Sequence, residues 1–171
     1  AITGQFRFFA RGGSEPKVPV MLSSILTEAE YLLRTEIDRT GITFTAAAFT
    51  TPIEIHTHQV QLEQAFTNIL RNAIHAVEEV TAPEVRVTVV KCQDQVEIHV
   101  SDNGPGLAGA SLTDLQEPFF STKPSGVGMG LGLAIATEII KDHGGEIRLG
   151  RTDIGAEFIV TLPLPRAGDL E

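Results

Sequence analysis

Val85, Val87 and Val89 alternate with Arg86 and Thr88, and Val96, Ile98 and Val100 alternate in the same way after the short connection Cys92–Gln95. Period-two alternation of β-branched residues predicts two antiparallel strands, each with one face that must be buried. No other feature constrains the fold as strongly, because a lone hairpin cannot cover its own apolar face. The cover lies immediately upstream. Between His58 and Glu79, Leu62, Phe66, Ile69, Leu70, Ala73, Ile74 and Val77 recur at helical spacing as a single stripe. A long helix laid across a hairpin is the start of a two-layer arrangement.

The remaining segments extend that plan. Ile25, Ala29, Leu32, Leu33 and Ile37 predict an earlier helix stopped by Gly41, with strands following at Ile42–Thr45 and Ile53–Ile55. A further helix runs from near Gly130 to His143 and ends at Gly144-Gly145, before strands at about Glu146–Leu149 and Ala156–Leu162. Residues 102–126, rich in Gly, Pro and Ser, read as one long loop. In a compact domain that length marks function or movement. The expected fold is therefore α/β: a two-layer sandwich of a mixed, roughly five-stranded sheet with three helices on one face, plus a long lid. Gly12 to Pro19 reads as a flexible or extended join, and Phe6 and Phe9 as the tail of an element that began earlier.

Charge narrows the partners. A net charge of −9 over 171 residues argues against nucleic acid, which requires clustered Lys and Arg. It leaves open an anion held by backbone N–H groups and a metal ion. The single cysteine, Cys92, cannot form an internal disulfide and suits a reducing compartment. No apolar run approaches the length that spans a bilayer, so a cytoplasmic domain without direct membrane contact is expected.

Four constellations carry chemistry. Asn68, Asn72 and His75, at spacings of four and three, share the helix face opposite the apolar stripe. A neutral amide oxygen suits a magnesium ion whose other ligands are phosphates and water, whereas in isolation the same residues would be a solvated polar face. Asp102-Asn-Gly104-Pro-Gly106 follows the second hairpin strand, where its glycines permit close approach and Asp102 can accept from an exocyclic amino group such as that of adenine. The plainer alternative is an Asn-Gly turn. Glu117-Pro-Phe119-Phe120-Ser-Thr-Lys123 places an apolar pair and a cation inside the loop; Lys123 reaches a phosphate or is merely solvated. Gly126-Val-Gly128-Met-Gly130-Leu131-Gly132-Leu133 precedes a helix, whose exposed N–H groups favour phosphate. Its spacing is neither that of a P-loop nor that of a dinucleotide fingerprint.

Taken in order, NILRNAIHA, DNGPGL, EPFFSTK, GVGMGLGLAI and GAEFIVTLP resemble the N, G1, F, G2 and terminal-strand motifs of sensor histidine kinases, relatives of gyrase, Hsp90 and MutL. The resemblance spans roughly residues 17–165, and the run from Glu117 to Ile147 is similar to the nitrogen-regulatory and C4-dicarboxylate sensor branch. It implies ATP and Mg²⁺ as cofactors, with Asn72 on the metal, Asn68 supporting it, and His75 near the phosphates. It implies Asp102 on the adenine amino group and Gly104, Gly106 and Leu107 around the base. Gly128, Gly130 and Gly132 would line the triphosphate and hinge the lid, with Lys123, Leu131 and Leu133 also among the cofactor-binding residues. Ile74, Leu133 and Phe158 are further candidates for the walls of the adenine pocket. The implied partners are a dimerisation domain carrying the phosphoacceptor histidine and the receiver domain of a response regulator. Residues 1–16 would be the remnant of that dimerisation helix and its linker, residues 17–165 the catalytic ATP-binding domain, and residues 166–171 a tail.

The alternative is an ATP-hydrolysing clamp of the gyrase and Hsp90 type. Those relatives use a Glu one helical turn before the magnesium Asn to activate water, and the residue at that position is Asn68. Of the other histidines, His56 and His58 are expected at the surface and His99 on a strand. His143 is expected near a helix C-terminus, where a positive charge is favoured.

Overall fold

The predicted hairpin is the centre of a five-stranded sheet in the computed structural model, which describes residues 16–46, 52–120 and 130–166. The elements in chain order are β1 (Val18–Met21), α1 (Leu22–Leu32), α2 (Arg34–Thr40), β2 (Thr43–Ala46), β3 (Glu54–Thr57), α3 (Gln59–Ala76), β4 (Glu84–Lys91), β5 (Gln95–Asp102), α4 (Leu112–Gln116), α5 (Gly132–Asp142), β6 (Glu146–Leu149) and β7 (Ala156–Pro163). The main sheet runs β2-β4-β5-β7-β6. The β2–β4 pair is parallel, and the other three pairs are antiparallel.

Register places the apolar residues on one face: Val87 opposite Val100, Val100 opposite Phe158, Ile98 opposite Val160 and Ile147 opposite Val160. The predicted stripe of α3 meets them, with Leu62, Phe66, Ile69, Leu70, Ala73 and Ile74 buried. α3 packs on β5 and lies between α1 and α5, and α5 also contacts β6. Removing each large side chain of this layer from water contributes about 1.5–3 kcal/mol, so apolar contact holds helices and sheet together. On the alternate register positions Arg86, Thr88, Glu97 and His99 remain at least partly exposed, whereas Ile159 and Thr161 of β7 are buried.

Four expectations are corrected. The first predicted helix is broken at Leu33 (φ −101°, ψ 3°), which lets fully buried Leu33 and, on α2, Ile37 both turn inward. Gly41 ends α2 at φ 65°, as its sequence position suggests. The strand near Ile55 lies outside the main sheet: β3 pairs antiparallel with β1, from Val18 opposite Thr57 to Met21 opposite Glu54. That pairing orders Val18 and Pro19, which read as part of a join. α3 stops at Ala76, short of Glu79. The stretch expected to be a single loop contains α4, begun by a capping box in which Asp114 N–H donates to Ser111 Oγ (3.2 Å) and Ser111 N–H to Asp114 Oδ2 (2.9 Å). The readings of residues 1–15 and 167–171 lie outside the described residues.

Candidate active site

The site is built where α3, the start of α5 and the end of β5 converge. Asn68 and His75 are half-buried on α3 and Asn72 is exposed. A methyl group added at Gly132 would stand 3.7 Å from Asn68 Cβ, so the first residue of α5 rests against this face. No side chain caps α5 at Leu131, its half-buried N-cap residue, which leaves the first N–H groups of the helix to other acceptors. Leu133, one residue further on, is 8% exposed.

Asp102 closes β5 and is buried. Burial raises its carboxyl above the ordinary range, while N–H groups of Gly104 and Ala156 pull it back. The Gly104 donor lies 2.9 Å from Oδ1. The loop is pressed against α3, since a methyl group at Gly104 would come within 2.6 Å of the Ala76 carbonyl oxygen. Gly106 adopts φ +80°, with the Gly155 carbonyl oxygen 3.1 Å from where its Cβ would be. Leu107 is half-buried beside this turn. Asn103 has a structural role, accepting from Glu84 N–H at 2.8 Å and donating to the Ala82 carbonyl at 2.7 Å.

The structure thus brings Asn68 to Gly132, and Asp102, Gly104 and Gly106 to one turn beside the end of α3. Ile74 and Phe158 are packed into the core. His75 Nε2 lies 3.5 Å from Glu36 Oε2, on α2. Phe119 and Phe120 are exposed, and the Phe119 N–H donates to the carbonyl of Gly130 at 3.1 Å. Lys123 and Gly128 lie outside the described residues. A depression of about 550 Å³ is bordered by Leu107, Arg151, Asp153, Gly155, Ala156 and Glu157, of which Leu107 is the one predicted site residue.

Two residues escaped the sequence reading. Ala156 supplies a donor to Asp102, and Gly155, at φ +71°, leaves no room for a side chain against the Asp102 backbone carbonyl. The one local signal was a glycine opening the last strand. The histidines also differ from expectation. His58 is half-buried at the N-cap of α3, and His56 Nε2 is buried without a hydrogen bond. His143 is buried, and desolvation lowers its pKa, so the expected cation at the end of α5 is disfavoured.

The profile of the histidine kinase-, DNA gyrase B- and HSP90-like ATPase family matches residues 57–166, which include all of α3, the Asp102 turn and α5. The chain belongs to this family. It is 32% identical over 165 residues to the C4-dicarboxylate transport sensor protein DctB of Rhizobium meliloti (strain 1021), covering 95% of this chain and 26% of that protein. It is 31% identical over 169 residues to the sensory histidine kinase/phosphatase NtrB of Rhizobium leguminosarum bv. phaseoli, covering 91% of this chain and 43% of NtrB. The catalytic domain of histidine kinase ThkA superposes with a TM-score of 0.77 at 27% identity, covering 88% of this chain and 96% of that one. The chain spans about a quarter to under half the length of these two curated relatives.

Proposed function

We propose that this domain binds Mg-ATP between α3, the Asp102 turn and α5, and transfers the γ-phosphoryl group to a histidine on a dimerisation domain of the same parent protein. Residues 17–165 form the catalytic unit in this reading, with the dimerisation segment upstream, and it operates in the cytoplasm. From that histidine the group passes to an aspartate on the receiver domain of a response regulator.

Each part has a physical support. The buried Asp102 carboxyl, where the Gly104 and Ala156 N–H groups act against the desolvation that raises its pKa, accepts the adenine amino group, and Gly106 lets the base lie close. The uncapped start of α5 beside Asn68 offers N–H groups to phosphate oxygens. Among the described residues there is no group of three or more His, Cys, Asp or Glu side chains able to cage a metal. An exposed neutral amide such as Asn72 instead fits an ion that arrives with the phosphates. When bound, Mg²⁺ neutralises phosphate charge. The protein's own part is orientation and fixed dipoles.

The carrying observation is Asn68. It stands against Gly132 at the start of α5, one turn before Asn72, and an amide cannot take a proton from water. That favours transfer to a protein acceptor over the hydrolytic clamp.

The test is a calorimetric ATP titration of this chain with and without Mg²⁺, followed by incubation with labelled ATP, alone and with the parent's dimerisation domain. Magnesium-dependent binding, negligible hydrolysis and label on the added histidine are expected. Steady hydrolysis without transfer would replace this reading with the clamp.

A further inference from the structure

The β4–β5 ladder pairs Val85 with Asp102, so its next position sets Glu84 against Asn103. Backbone makes only half of that pair. The Asn103 N–H donates to the Glu84 carbonyl at 3.3 Å. The Glu84 N–H donates instead to the Asn103 side chain, at Oδ1, over 2.8 Å. The amide oxygen thus stands in for the Asn103 backbone carbonyl, and the main chain is free to leave the strand at this residue. Nδ2 completes the clasp by donating to the Ala82 carbonyl at 2.7 Å.

The segment that Asn103 grips is itself fixed, since the Pro83 carbonyl accepts from the Thr43 N–H of β2 at 2.9 Å. On its other side Asn103 is the central residue of an Asx turn. Asp102 Oδ1 accepts from the Gly104 N–H, two residues on, at 2.9 Å. The backbone angles of Asn103 therefore decide whether that donor reaches the carboxyl. Gly104 has little room to compensate, because the Ala76 carbonyl oxygen lies 2.6 Å from where its Cβ would stand. Aspartate at this position could accept from Glu84 but not donate to Ala82, and alanine could do neither.

We propose that Asn103 is a positioning residue for base recognition, pinning the turn that aims the Asp102 carboxyl at the amino group of adenine. This rests on the reading of Asp102 given above. Asn103 acts through the Gly104 N–H and Asp102, with no contact of its own to the base.

Two readouts test it. Amide exchange followed by NMR on the nucleotide-free chain reports the turn directly. In Asn103→Ala the Gly104 amide should exchange roughly five-fold faster, as expected for one weakened hydrogen bond, while amides of the β5–β7 ladder keep their rates. Base recognition is read by calorimetry with ATP and with purine riboside triphosphate, which lacks the amino group. The wild type should bind ATP roughly ten-fold more tightly than the analogue. Asn103→Ala should narrow that preference to about two- to three-fold, with Asn103→Asp in between. A loss of folded protein weakens both nucleotides alike and leaves their ratio unchanged, so the ratio separates positioning from a merely structural part. Unaltered Gly104 exchange, or an undiminished preference for ATP in both variants, overturns the role of Asn103. A wild type that binds both nucleotides equally overturns instead the reading of Asp102 on which that role rests.

Discussion

Asp102 ends a strand whose inward neighbours are aliphatic, and burial alone would favour its neutral form. The Gly104 and Ala156 N–H groups oppose that tendency without satisfying every lone pair of the carboxylate, which leaves capacity for an amino donor. In Asp102→Asn, one carboxylate oxygen is replaced by an NH2 group, a donor that cannot accept from the adenine amino group. The expected result is a loss of ATP affinity of about 1.5–3 kcal/mol, or roughly ten- to a hundred-fold. The urea midpoint should hold or rise, since a desolvated charge is removed. Calorimetry beside urea unfolding checks this, and a parallel fall in both would make Asp102 a structural residue instead. Asp102 was legible because an acid followed by Asn-Gly at a strand end is a local pattern. Ala156 was not, because it is the register partner of Asp102 on β7, and nothing in a single sequence announces which strand β5 will pair with.

At the scale of elements, α3 and α5 are joined by two histidines. His143 Nδ1 lies 2.7 Å from the Ile139 carbonyl oxygen, an acceptor that requires the proton on Nδ1. Nε2 is then the acceptor for the His58 N–H at 3.3 Å, at the N-cap of α3. The two rings meet edge to face, with centroids 5.7 Å apart. Desolvation lowers the His143 pKa below 6.5; the Ile139 contact and Asp142 act against it, and Lys17 and His58 reinforce it. The sign follows from proton counting. Between the folded pKa and 6.5 the unfolded chain binds more protons, so stability rises with pH there. The contribution is complete above about 6.5 and is lost as pH falls through the folded value. Urea unfolding of the wild type should therefore weaken more steeply between about pH 7 and pH 5 than that of His143→Gln, which cannot titrate. Equal slopes would place His143 outside the pH response. Long periodic stripes made α3 and α5 readable from sequence. The break at Leu33 and the β1–β3 pair depend on tertiary packing, which periodicity does not encode. The Ser111–Asp114 box of α4 was a readable signal hidden by the loop-like composition around it.

For the molecule as a whole, the difficulty is that a chain of net charge −9 must hold a polyanion. Directional N–H groups at α5 act only at short range, and the summed repulsion acts over a Debye length, so a cation bound with the phosphates should be worth most to this domain at low salt. Ligand binding to the folded state adds about 2.7 kcal/mol of stability at a hundredfold excess over Kd. For a domain of this size that corresponds to roughly 2–4 °C in Tm per kcal/mol. Thermal unfolding followed by circular dichroism should therefore show a clear rise with Mg-ATP and a smaller one with ATP and a chelator, the gap narrowing as salt is added. In Asn72→Ala the two rises should coincide near the smaller value, because truncating an exposed amide costs the fold little and what is lost is the ion contact. If Asn72→Ala instead depresses both rises equally, the amide serves the nucleotide and not the ion. The acidic domain would then depend on its backbone donors to hold the phosphates.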